Sequence, residues 1–363
     1  MSVLHVRTHL LEACRWATEA EVEAAEIAAA ALGMAIPMLF AVIGGNLAPG
    51  LAAAIGGLIV GRIDVASGLR AHLRHQAEAL APAILAALLA VICAGRGWVT
   101  AAALVLLVAI AATLSGLSRA AAVAATRFTL FLMIVSAVAT PTKALEMKEA
   151  IGLLALVTAG ALWTSALSLV LARVVRRSRN TNAPASPLQP VPTPRQKYSR
   201  WLRSLATFAG WIYPARLSSG IAFAFALDVS WPGHHLHWIG LTLAILTQRQ
   251  VELVPVKTTQ RALGTAIGIM AAGILPRAGL TPWALVGAVA FLAGIRPLLR
   301  VKNYLGYSAV MTPLIILIVD AGRAPDNSWL FDRLIATLIG AALVVAINML
   351  VLRLFSPHDH HKL

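Results

Sequence analysis

Charge is scarce in this sequence. Of its 363 residues only 12% are charged, against about a quarter in an ordinary soluble domain. Asp and Glu together number 15. A chain of this length with so little charge has too much apolar surface to hide in one water-soluble core. Cysteine is nearly absent. Cys14 falls in a polar leader and Cys93 near the end of an apolar run, so no disulfide framework is implied and the redox compartment stays open. The motifs of several enzyme classes are missing too. There is no Gly-x-x-x-x-Gly-Lys-Ser/Thr loop, no His-Glu-x-x-His and no nucleophile elbow, so nothing supports ATP-driven transport or hydrolysis within the membrane. No enzyme activity and no cofactor is expected.

What the sequence has is hydrophobicity: 59% of residues, with a mean hydropathy of +0.79. The runs are long, rich in Ala, Leu and Val, and do not alternate. In lipid only helices or closed barrels satisfy the backbone, and non-alternating runs exclude the barrel. The expected fold is therefore all-α, a polytopic transmembrane bundle. Apolar windows fall at about 27–45, 48–61, 79–95, 98–116, 120–140 and 150–172, then at about 216–231, 235–248, 262–276, 281–295, 304–320 and 331–352. That is about twelve spans in two six-helix halves. The domains follow: a leader over 1–26, a first half over 27–172, a linker over 173–215, a second half over 216–353 and a tail over 354–363. The leader carries Glu12, Glu19, Glu21 and Glu23 and has no apolar centre, unlike a cleaved signal peptide. Pro37, Pro82 and Pro313 fall inside spans, where a kink exposes carbonyls.

The net charge of +15 sits in short loops and at span ends rather than on one basic face, which argues against nucleic acid as a partner. Its distribution suits the positive-inside rule. With the leader cytoplasmic, alternate gaps hold Arg62, Arg70 and Arg74, then Arg119, the linker, Arg249, Lys257 and Arg261, then Arg296, Arg300 and Lys302, and finally Arg353. The other gaps hold little excess positive charge, so both termini are expected in the cytoplasm and the chain in the plasma membrane. The linker centre, 182–194, is Pro-rich and reads as a flexible spacer. Beyond it Tyr198, Trp201, Leu202, Leu205, Phe208 and Ile212 recur at helical spacing opposite Lys197, Arg200 and Arg203. An interfacial helix on anionic lipid accounts for that pattern, and a docking site for a protein partner is the alternative.

Charges inside spans are costly and point to function or to pairing. Arg127 falls seven residues into the fifth window, and the functional and structural readings stand level for it. Asp228 and Asp320 lie near the outer ends of the seventh and eleventh, and Arg333 opens the twelfth; for these three, mutual pairing is the plainer account. If they act in transport, Arg127 holds an anion and Asp228 and Asp320 carry protons. His234, His235 and His237 cluster in an outer loop with Trp231 and Trp238; a solvated loop is the plain reading and proton sensing the sharper one. His358, His360 and His361 lie in the tail, too isolated for a metal site. Gly264 and Gly268 are four apart and imply close helix packing. Arg261 and Arg249 read first as orienting charges, and alternatively as a basic vestibule suited to a carboxylate.

The most distinctive text is in the second half. Trp238 leads a span that ends in Gln248-Arg249. Thr258-x-x-Arg261-x-x-Gly264-Thr265-x-x-Gly268 turns into the next, Asn303-Tyr304 leads a span with Thr312 inside it, and Arg333 leads a last span reaching Gly340. This pattern resembles the fusaric acid resistance and aromatic acid exporter family of bacterial inner-membrane proteins, over about 215–352. In the first half Arg74 occupies a place comparable to Arg261, but Ala81-Pro82 follows where Gly-Thr is expected. Many members also carry a sizeable soluble region between halves, and this linker is too short for one. The resemblance implies a secondary transporter that exports small organic, aromatic acids; the candidate substrate contacts are Arg249, Arg261, Gln248, Asn303 and Tyr304 in the resembling region, and Arg127, singled out by its depth in the fifth window. A passive anion channel, similar to plant aluminium-activated malate channels, and a non-transporting scaffold are the competing readings. A homo-oligomer or a periplasmic partner is compatible with the resemblance, and the sequence names neither.

Overall fold

The computed structural model describes residues 16–17, 22–59, 69–139, 147–178, 193–231, 234, 236–247, 254–277, 281–319 and 327–355. Among them all regular structure is helical, in thirteen helices. The first six are α1 (Ala24–Ile43), α2 (Leu47–Gly57), α3 (Leu69–Cys93), α4 (Trp98–Leu114), α5 (Arg119–Ala139) and α6 (Met147–Ser178). A separate helix, α7 (Pro194–Leu205), follows. The last six are α8 (Ala209–Ser230), α9 (His237–Leu246), α10 (Val254–Arg277), α11 (Pro282–Lys302), α12 (Tyr304–Val319) and α13 (Asn327–Phe355). Each apolar window of the sequence holds one helix.

Local chemistry sets several boundaries. Gly45 turns at φ 73°, and the Asn46 side chain then accepts from the Ala48 N–H at 3.2 Å to cap α2. Thr281 caps α11 in the same way, accepting from the Ala284 N–H at 3.3 Å, with Pro282 next; there the missing proline N–H costs nothing. Thr193 and Gln196 form a capping box at α7, satisfying two N-terminal donors. The windows miss the helix ends. Helix α8 begins at Ala209 rather than 216, and α11 runs to Lys302, so Arg296 and Arg300 lie within a helix and not in a gap. The amphipathic helix ends at Leu205. Phe208 falls in the turn and Ile212 in α8, and the turn fits only a glycine at 210, where a Cβ would strike the Ser204 carbonyl.

Among the described residues, six helices contain stretches long and apolar enough to cross a membrane: Ala24–Ile43, Leu73–Cys93, Arg119–Ala137, Lys148–Val175, Pro282–Lys302 and Phe331–Val351. Shorter apolar helices accompany them at Leu47–Gly57, Trp98–Leu114, His237–Leu246 and Tyr304–Ile318. The outer surface is greasy, with Phe40, Phe291 and Ile274 each about two-thirds exposed. Exposed apolar side chains of that size on so many helices are stable against acyl chains and not against water. The chain is a multi-pass membrane protein.

Packing repeats between the two sets of six helices. In the first, α1 packs on α2 and α6, α2 on α6, and α3 on α5 and α6. In the second, α8 packs on α9 and α13, α9 on α13, and α10 on α12 and α13. Contacts between the sets are reciprocal as well: α1 lies on α11 as α8 lies on α4, and α5 on α9 as α12 on α2. The main apolar core runs through both sets, with Met34, Leu104, Leu132, Ile221, Ile239, Leu243 and Leu314 fully buried. Small residues let backbones approach within this core; on α3 these are Ala79, Ala83, Ala86, Ala87 and Ala90.

Candidate functional site

The α10–α12 seam is built by two glycines one turn apart. A Cβ at Gly264 would strike the Leu305 carbonyl and lie 2.6 Å from Ser308 Cβ. One at Gly268 would lie 2.6 Å from both the Ala309 carbonyl and Thr312 Cβ. Arg261, one turn before Gly264 on the same face, is carried into the seam and is only 4% exposed. The Tyr304 hydroxyl lies within electrostatic range of Arg261 and faces Ser308. The Tyr304 ring stacks on Tyr307 with centroids 5.8 Å apart. Asn303 separates α11 from α12, and its side chain accepts from the Gly306 N–H at 2.7 Å, so it caps α12. Gly268→Ala should lower stability by ~1–3 kcal/mol, the usual cost of overpacking. Gly287→Ala on α11, where a Cβ meets nothing within 4 Å, should raise it by ~0.5–1 kcal/mol through helix propensity. Melting both variants in detergent checks the contrast, and equal behaviour would speak against the seam.

A second charged group joins the two sets of helices. Glu26 of α1 is 7% exposed and accepts from Arg300 Nη2 of α11 at 3.0 Å. Arg296, one turn earlier on α11, is within electrostatic range of Glu26, Arg300 and Tyr307. Arg127 is half-buried on α5 and lies in the field of Arg300 and of Glu78 on α3. Glu78 also pairs with Arg74 at 2.8 Å, on the exposed side of α3.

The remaining polar groups gather at the opposite end of the bundle. Asp228, at the end of α8, is 3.8 Å from His237 Nδ1 at the start of α9. His234 lies 3.5 Å from Asp332. Arg333, 2% exposed, holds its guanidinium 3.8 Å from the ring centre of Trp238, a cation–π contact in a dry site. Asp228 thus sits at the other end of its helix from the level of Arg127 and Arg261, and the structure does not bring these candidates into one site. Gln248, Arg249, Asp320, His235 and the histidines of the tail lie outside the described residues, as do most of the leader and the spacer. Among the described residues no three His, Cys, Asp or Glu side chains form a group that could hold a metal ion.

Two buried charges escape the sequence reading. Glu26 looks like the last residue of the polar leader but is inside α1. Arg216 stands at the first position of the seventh window, beside the basic linker, but is 3% exposed in α8, with Nε and Nη2 lacking a hydrogen-bond partner among the described residues. A signal for Glu26 exists in its spacing: it shares the stripe of Ala25, Ala29, Ala30 and Gly33, all buried. Arg74 also changes meaning. Its side chain is 83% exposed whereas Arg261 is buried, so the two do not occupy equivalent places.

Residues 217–347 match the family model described as fusaric acid resistance protein-like. The matched segment runs from within α8 to within α13 and includes Arg261, Gly264, Gly268, Asn303 and Tyr304. No curated protein and no solved structure matches the chain.

Proposed function

We propose, from the premise that residues 217–347 are a fusaric acid resistance protein-like membrane segment, that this protein is a secondary transporter exporting small organic, aromatic acids. It works across the bacterial plasma membrane and draws on the proton gradient. Twelve spans in two six-helix halves, related by an axis along the membrane normal, form the frame, with both termini cytoplasmic. The observation that carries the reading is Arg261: a guanidinium 4% exposed inside an apolar bundle, within the matched segment. A fixed positive charge there favours an anion, and its planar fork suits a carboxylate. Arg127, with Arg249, Gln248, Asn303 and Tyr304, completes the polar path, and Asp228 and Asp320 take up protons. Helix α7 rests on anionic lipid. Tyr198 and Leu202 are about half-exposed beside Lys197 and Arg200, and Trp201 Nε1 donates to the Thr113 carbonyl at 3.0 Å, tying α7 to the end of α4.

Proteoliposomes loaded with labelled fusaric acid test this. Imposing a pH gradient should drive protein-dependent flux that a protonophore abolishes, after subtracting the leak of neutral acid through protein-free liposomes. Absence of such flux across a panel of aromatic acids would remove the transporter reading. The reciprocal packing of the two helix sets favours one rival, a passive anion channel resembling aluminium-activated malate channels. Single-channel current that reverses at the anion equilibrium potential and ignores the proton gradient would select it.

A further inference from the structure

We infer that α10 and α13 form a carboxylate-binding site around Arg261 and Asn348, at the position where the first half is closed by a Gln76–Ser168 hydrogen bond. The inference rests on the acid-transport reading above and gives it a location. It starts from register. On α3 the buried positions include 76, 79, 80, 83 and 87, and on α10 they include 261, 264, 265, 268 and 272, five positions at one spacing, while Ala86 and Ala90 of α3 and Thr258 and Gln260 of α10 are buried outside that set. On α6 they include 157, 160, 161, 164 and 168, and on α13 they include 337, 340, 341, 344 and 348. The second pair has an anchor, because Gly160 meets the backbone of α2 and Gly340 meets Thr242 and Ile239 of α9, and α2 and α9 are equivalent in the packing. Gln76 therefore corresponds to Arg261, and Ser168 to Asn348.

The two halves then treat one place differently. In the first, Gln76 Nε2 donates to Ser168 Oγ at 3.2 Å, and Ser165 Oγ approaches Gln76 Oε1 at 3.5 Å. Neutral groups satisfy one another, so the place is chemically closed. In the second, Arg261 is 4% and Asn348 5% exposed. Arg261 Nε and both amide atoms of Asn348 lack a hydrogen-bond partner among the described residues. The Thr265 hydroxyl, one turn beyond Arg261 and 1% exposed, is in the same condition. Buried polar atoms are nearly always satisfied in a working protein. A carboxylate supplies one full negative charge for the guanidinium and acceptor oxygens for Asn348 Nδ2 and the Thr265 hydroxyl, though no donor for Asn348 Oδ1. The Tyr304 ring beside Arg261 offers a face for an aromatic body.

The test copies the first half into the second. Arg261→Gln with Asn348→Ser restores the closed Gln–Ser pair, so the double variant should melt no lower than the parent protein. Binding of benzoate to the purified full chain in nanodiscs, read by calorimetry, should weaken at least tenfold. Arg261→Lys should bind at an intermediate level, since it keeps the charge and loses the fork. Unchanged benzoate affinity in the double variant, or no benzoate binding by the parent, overturns the site. If the double variant does not fold, Arg261→Lys and Asn348→Ser singly take its place, and unchanged affinity in both overturns it equally. The two ideas separate in the data. Acid flux with unaltered binding in the variants removes the site and leaves the transporter. Arg261-dependent binding without flux removes the transporter and leaves the site.

Discussion

Gly160→Leu is expected to yield no monodisperse folded protein after detergent extraction. Gly160 of α6 faces α2, where an added Cβ would meet the Ala53 backbone, and Gly56 of α2 returns the contact against Val157 and Ala161. All the opposing atoms named at Gly160 are main chain, so no rotamer change can relieve the clash and the two helices must separate. The seam also carries Thr164, whose hydroxyl donates to the Gly160 carbonyl at 2.9 Å and to the Gly33 carbonyl at 3.2 Å. Parting α2 from α6 therefore disturbs α1 too. Overpacking costs ~1–3 kcal/mol where side chains can move; against rigid backbone the cost should exceed ~3 kcal/mol, a large part of a typical stability. Gly152, on the same helix, has nothing within 4 Å of its Cβ position. Gly152→Leu should elute like the parent protein on size exclusion. Normal behaviour of Gly160→Leu in the same assay would mean that α2 and α6 do not touch as described.

Hydropathy locates helices in this chain because an apolar segment of spanning length is stabilised by lipid regardless of what packs beside it. That is why each apolar window of the sequence contains a helix, and why Pro37, Pro82 and Pro313 fall inside helices as expected. Averaging over a window also erases the individual charges that matter most. Glu26 lies at the edge of the first window, and its partner Arg300 is 274 positions away. No local pattern can reveal that a carboxylate in a leader-like stretch is offset by a guanidinium so distant. Arg261 suffers the same loss: the positive-inside rule explains it at the end of a span, and only burial shows that it enters the seam. Gly264 and Gly268 were legible because close packing needs small residues at helical spacing, a property of one segment alone. Equivalence between the halves lies at the other extreme. Gln76 is neutral and Arg261 charged, so the correspondence proposed between them rests on which neighbours bury them.

The joint between α1 and α11 should respond unequally to loss of its two partners. Three guanidinium groups, Arg127, Arg296 and Arg300, share this region with the carboxylates of Glu26 and Glu78, and Glu78 is already paired with Arg74 on the exposed side of α3. Glu26→Gln leaves three cations facing one carboxylate in a poorly hydrated setting, where like charges repel strongly. Arg300→Gln leaves Arg296 within range of Glu26, and it removes the repulsion between Arg300 and Arg127. Breaking a buried pair commonly costs ~3–5 kcal/mol when a charge is stranded. Glu26→Gln should fall near the low end of that range, ~3 kcal/mol, and Arg300→Gln nearer ~1 kcal/mol, since its side chain is already 41% exposed and part of the pair's energy is screened. The double variant should be more stable than Glu26→Gln alone, because the second change withdraws a cation the first left unpaired. Thermal midpoints of the three variants in one detergent decide the matter. Arg300→Gln as the more damaging single change would show that Glu26 has no second cation to turn to, and that Arg296 lies too far from it to help hold the halves together.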